Sequence, residues 1–204
     1  MAYRPTEKTQ ARKTAVRDTL VKAALGLVAT GGFNALTIAA AAQAAGMATG
    51  AVYKHFESKA LLCAEVFRLA TEKEVAMVRA VGTAEGPPVE RMLNAIAVFS
   101  ERALRGQRLA YALIAEPVDA LVDVERLRYR QAYAVMYQQL IEEGIRSGDF
   151  APQNATVSAA ALVGAIPEAL VGPLSWQQGG QLTESQDQLI QSIQGFCLRA
   201  LGAK

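Results

Sequence analysis

Residues 32–62 read GFNALTIAAAAQAAGMATGAVYKHFESKALL, and their spacing decides the fold. Thr37 is placed to cap a short helix whose inward stripe, Ile38, Ala41, Ala42 and Ala45, follows the i, i+3, i+4, i+7 pattern. Gly46 offers a left-handed C-terminal cap. A third helix of about two turns is expected from Ala48 or Thr49 to His55. Ala42, Gly46 and Val52 stand at successive intervals of four and six residues. Two short helices cross closely when the first is small at the crossing, the turn tolerates a positive φ and the second inserts an apolar anchor. The spacing therefore predicts a helix-turn-helix.

On the third helix Val52 and Phe56 take the buried face, which leaves Thr49, Gly50, Tyr53 and Lys54 on the opposite one. An uncovered face on a short helix near a basic N-terminus suits the major groove of double-stranded DNA. Charge agrees with this. Residues 1–60 carry eight Lys or Arg against three Asp or Glu, and residues 61–204 carry thirteen against sixteen, so the net +2 conceals a basic head on a slightly acidic body.

Outward from the motif every segment reads as helix. Val16, Leu20, Ala23, Ala24 and Leu27 recur at helical spacing before the stop at Gly31 and Gly32. Ser58 caps a long fourth helix toward Gly82, with Leu62, Val66 and Leu69 on one face. Further helices are expected at 88–105, up to 115, at about 119–147, at about 154–171 and at 184–201, with a loop at 172–183. Pro167 should kink or interrupt the helix that contains it. No alternating run is long enough for a strand. The fold class is all-α, of about nine helices and without internal repeats.

The 204 residues are 51% hydrophobic and 20% charged, enough to bury a real core. Cys63 and Cys197 lie far apart without metal-type spacing, and His55 is the one histidine, which argues against a disulfide scaffold, a zinc module or a multi-histidine site. With no glycine-rich phosphate loop either, no catalytic residue, cofactor or metal is expected, and the chain does not read as an enzyme. The uncharged stretch 23–53 after basic residues imitates a signal peptide. Its apolar patch is only seven residues long before Thr30, Gly31, Gly32 and Asn34, so neither export nor a membrane span is expected, and the cytoplasm is the expected compartment.

The run Gly32, Phe33, Leu36, Thr37, Ile38, Ala42, Ala45, Gly46, Gly50, Val52, Tyr53, His55, Phe56, Ser58, Lys59 and Leu62 resembles the N-terminal signature of the TetR family of bacterial transcriptional regulators, over about fifty residues. The resemblance implies an all-α homodimer with a three-helix DNA-binding domain, here 1–60, and a divergent effector-binding and dimerisation domain, here 61–204. It implies a repressor that binds palindromic operator DNA and is released by a small-molecule effector. A helical DNA-binding or adaptor protein without effector control is the alternative.

By the same resemblance Tyr53, His55 and Lys59 meet backbone phosphates, and Thr37 can offer its hydroxyl and neighbouring N–H groups to another. The plainer roles are an N-cap for Thr37, a core aromatic for Tyr53 and a ring packed under the first helix for His55. Lys54 and Thr49 are the candidates for reading base edges. Ala39, Ala40 and Ala48 replace the longer polar residues of many relatives, which moves weight to DNA shape and to a basic arm of Arg4, Lys8, Arg12, Lys13 and Arg17. In the body, Phe99, Arg102, Tyr111, Glu116, Tyr129, Tyr133, Met136, Glu168 and Trp176 are candidate effector contacts, with Glu168 favoured by its position next to Pro167. Ala159, Ala160, Ala161, Gly164 and Ala165, followed by Leu189, Ile190, Ile193, Phe196, Cys197 and Leu201, need a cover: a second copy of the chain, or the long helix at 119–147. Ala161, Gly164, Ala165, Leu189, Ile193 and Phe196 are the expected dimer contacts.

Overall fold

The computed structural model describes residues 7–175 and 185–203, which form nine α-helices and no strand among the described residues. Arg4 and Trp176 lie outside them. The order is α1 (Glu7–Gly31), a 3₁₀ turn (Phe33–Ala35), α2 (Ile38–Ala44), α3 (Thr49–Val52), α4 (Lys59–Gly82), α5 (Pro88–Arg105), α6 (Gln107–Ile114), α7 (Ala120–Ser147), α8 (Ala155–Leu174) and α9 (Gln186–Ala200).

The helix ends follow from side chains that satisfy orphan N–H groups. Thr37 accepts from the Ala40 amide, Ser58 from Leu61, Asp119 from Leu121 and Asn154 from Val157, while Ser185 and Gln188 form a reciprocal capping box. Gly46 has φ 67°, the left-handed turn that the helix-turn-helix requires. Three boundaries differ from expectation. The helix α3 is a single turn, because Lys54 and His55 donate to carbonyls three residues back, at Ala51 and Val52, and the chain continues as tight turn instead of α-helix. The helix α8 runs unbroken through Pro167 and Pro173 to Leu174, and α9 begins at Gln186 because its cap is Ser185.

Two apolar cores result. Leu20, Ala24 and Val28 of α1, at four-residue steps, pack with Leu36, Ala42, Val52 and Phe56 and with Leu62, Val66 and Phe67 of α4. This core does not stop at residue 60, since Ala112, Val122 and Tyr129 belong to it. The second core gathers Met92 and Ile96 of α5, Leu140 and Ile141 of α7, Leu162, Ile166 and Leu170 of α8, and Ile190, Ile193 and Cys197 of α9. By length and mean hydropathy α8 would pass for a membrane span, but α5, α6 and α7 pack against it.

Candidate nucleic-acid interface and body cavity

The helix-turn-helix presents the side chains its spacing predicts. Ala42, Val52 and Phe56 are buried, whereas Thr37, Thr49, Gly50, Tyr53, Lys54 and Lys59 are exposed. Tyr53 is 55% exposed, which rules out the packed-aromatic account for it. His55 is half-buried, and its Nδ1 is buried without a hydrogen-bond partner. A Cβ at Gly50 would meet nothing within 4 Å. Packing within the subunit therefore does not demand glycine there, and the missing side chain leaves room for another molecule's backbone to come close. The Thr37 hydroxyl is engaged as a cap at 3.1 Å from the Ala40 amide and remains at the surface. Of the basic residues expected as an arm, Arg12 and Lys13 are exposed on α1, but Arg17 pairs with Glu65.

Between α4, α5, α6, α7 and α8 lies a mainly apolar cavity of about 310 Å³. Phe99, Arg102, Tyr129 and Tyr133 line it, as do Phe67, Thr71 and Glu74 of α4, Leu109, Leu113 and Ile114 of α6, and Arg126, Arg130 and Tyr137 of α7. Phe99 and Tyr133 meet edge-to-face with centroids 5.8 Å apart, and Arg102 forks onto Glu74 at 2.5 and 2.8 Å. Thr71 is 8% exposed and its hydroxyl has no partner among the described residues, so a buried polar group faces this space unsatisfied. Burial pushes the Tyr129 hydroxyl up to about 12 and also raises Tyr133 and Tyr137, so all three stay protonated donors. Burial lowers Arg126 from the usual arginine range.

Four of the expected effector contacts stand elsewhere. Tyr111 packs against the body core, and Met136 is buried within it. Glu168 is exposed, because Pro167 turns toward the cavity and its neighbour on the helix faces away. Glu116 is 3% exposed and points to the reading head: its carboxylate accepts from the backbone N–H of Phe33 at 3.2 Å and of Asn34 at 3.3 Å. The lining residues that sequence reasoning missed do carry a signal. Arg126, Arg130 and Tyr137 share one stripe of α7 at helical spacing with the expected Tyr129 and Tyr133, and Phe67, Thr71 and Glu74 form another on α4.

The exposed face of α8 is small and apolar. Ala161 is exposed, Gly164 and Ala165 half-buried, and Val157 is 63% exposed. On α9 Phe196 is 52% exposed and Leu189 half-buried, but Ile193 belongs to the subunit's own core.

Residues 20–66 match the model of the bacterial regulatory proteins of the tetR family. The chain is 29% identical over 142 residues to the HTH-type transcriptional repressor KstR2 of Rhodococcus jostii (strain RHA1), covering 68% of this chain and 69% of that protein. In fold it is similar to the fatty acid degradation regulator FadR from Bacillus halodurans, with a TM-score of 0.75, 16% identity and coverage of 99% and 100% of the two chains. FadR from Bacillus subtilis, solved in complex with stearoyl-CoA, gives a TM-score of 0.74 at 16% identity over 90% and 98%.

Proposed function

We propose that this chain, whose residues 20–66 match the tetR family model, is a repressor which binds a palindromic operator as a homodimer and leaves it when an amphiphilic effector fills the body cavity. The observation that carries the DNA-binding half is the exposed face of Thr49, Gly50, Tyr53 and Lys54 standing on the buried anchors Val52 and Phe56. Lys54 and Thr49 read base edges, and Thr37, Tyr53, His55 and Lys59 hold phosphates on either side. One short helix offers too few contacts for a specific site, whereas a two-fold pair reads half-sites roughly 34–36 Å apart.

The second copy covers α8 and α9. Only 33% of the most apolar stretch of α8 is buried within one subunit, an arrangement that water disfavours. Ala161, Gly164, Ala165 and Phe196, flanked by Leu189, are the proposed contacts. Such a regulator works where the chromosome is, in the bacterial cytoplasm.

The effector is proposed to be a long-chain acyl thioester of coenzyme A. The apolar walls suit an acyl chain, the exposed Arg105 and Arg130 suit an anionic head, and the similarly folded Bacillus subtilis FadR binds stearoyl-CoA. Anisotropy of labelled DNA from upstream of the gene, with and without stearoyl-CoA, tests both halves. Saturable binding by a dimer and release by stearoyl-CoA are expected. Sequence-specific binding that neither stearoyl-CoA nor a metabolite extract alters would favour a DNA-binding protein without effector control. Equal affinity for every sequence would sink the regulator assignment.

A further inference from the structure

The short helix α6 forms one wall of the cavity with Leu109, Leu113 and Ile114, and both of its ends grip the reading head. At its start, Arg108 donates from Nη2 to the Gly31 carbonyl at the end of α1, at 2.6 Å. Just past its end, the buried Glu116 carboxylate receives the Phe33 and Asn34 amides. Arg108 and Glu116 also pair with each other at 3.4 Å. On the body side, Arg126 of α7 lines the cavity and clamps the same end of α6. Its Nε donates to the Leu113 carbonyl at 3.0 Å and its Nη2 to the Glu116 carbonyl at 2.9 Å.

We propose that Arg126 and Glu116 are positioning residues for operator release: Arg126 holds the end of α6 at the cavity, and Glu116 passes the position of α6 to the turn that leads into α2. This rests on the effector reading above. A ligand that presses the α6 wall outward moves the one element that carries both grips. A buried carboxylate with its lone pairs bound cannot slide by small steps, because losing its partners leaves an uncompensated charge. It keeps both amides or gives them up, which is the discrete behaviour that coupling between distant sites requires. The consequence reaches the DNA face directly, since Thr37, the cap of α2, stands three residues after Asn34. Gly32 fits the same account: a Cβ there would overlap both the Arg108 guanidinium and the Glu116 carboxylate.

Amide hydrogen exchange on the full-length protein tests the relay without a ligand. Among the described residues every hydrogen bond of Arg126 ends in α6, α7 or the segment joining them, and its guanidinium also lies 6.0 Å from the Phe67 ring, so Arg126→Gln removes no hydrogen bond from the head but does touch Phe67. It should nonetheless speed exchange at Phe33 and Asn34 by about ten-fold, the scale of a lost hydrogen bond to a charged group. Amides of Leu62 and Cys63 in α4 should keep their protection, and Arg126→Lys should restore part of the effect. Unchanged exchange at Phe33 and Asn34, or an equal rise in α4, would overturn the proposal. In a second measurement, the factor by which stearoyl-CoA weakens operator binding should fall toward one in Glu116→Gln, with stearoyl-CoA affinity retained; an unchanged factor would overturn it too. Failure of stearoyl-CoA to bind the wild-type protein counts against the effector assignment alone, and the exchange experiment still decides the relay.

Discussion

Arg17 of α1 donates from Nη1 to the Glu65 carboxylate of α4 at 2.9 Å, and its guanidinium lies 4.8 Å from the centroid of the Phe56 ring. One charged side chain thus ties the first helix both to the helix that leaves the head and to the apolar anchor after the helix-turn-helix. Arg17 therefore serves the internal geometry of the head, and of the basic residues expected as an arm Arg12 and Lys13 stand exposed.

Stability should carry an acid limb that traces to Glu65. Hydrogen bonds from Arg68 and then Arg17 hold this carboxyl at about 2, well below the ordinary glutamate value. A depressed folded pKa contributes stability that is fully present above the ordinary value and is lost as pH falls toward 2. The loss should be on the order of 2 kcal/mol, discounted because the partly exposed guanidinium groups are screened by solvent. Thermal melts of wild type and Glu65→Gln between pH 7 and pH 2.5 check this. The two curves should converge as pH falls, and parallel curves would contradict it.

Gly32→Ala should destabilise the head. Its backbone, at φ 73° and ψ −176°, lies in a region that is essentially glycine-only and costs about 1–3 kcal/mol for other residues. The added methyl also meets Arg108 and Glu116. Chemical denaturation should show a lower midpoint, and Gly50→Ala, at a position with open space, serves as the control that should leave stability nearly unchanged.

Lys59→Ala and Lys54→Ala should separate affinity from specificity. Removing a phosphate contact at Lys59 weakens binding to all sequences alike and reduces the salt slope by about one. Removing a base reader at Lys54 changes which half-site is preferred. Binding titrations over a panel of operator variants at several salt concentrations read both effects, and wild-type behaviour in both variants would remove the face carrying Lys54 and Lys59 from the interface.

Gly164→Arg should yield helical monomers with weak operator binding. Among the described residues a Cβ at Gly164 meets only the Arg130 guanidinium, at 3.9 Å, so the subunit has room for the side chain and the proposed dimer face would not. Sedimentation velocity with circular dichroism checks it, and an intact dimer would move the interface elsewhere.

Helix positions and the helix-turn-helix were legible in the chain because both are local: caps, periodic apolar stripes and a glycine turn act over a few residues. The burial of Ala42, Val52 and Phe56 and the exposure of Tyr53 and Lys54 follow from that periodicity alone. In the body the chain shows chemical type, and type does not say which way a helix faces. Glu168, favoured in the chain by the neighbouring Pro167, stands at the surface, while Thr71, with nothing to distinguish it in the chain, is a cavity hydroxyl without a partner among the described residues. Glu116 is legible as a charged residue in an apolar body, but its partners Phe33 and Asn34 lie 83 and 82 positions away. A carboxylate can be buried only where the tertiary structure brings donors to it. Local sequence therefore determined what DNA would meet, and the packing of α6 against the end of α1 decided how the cavity and the reading head are joined.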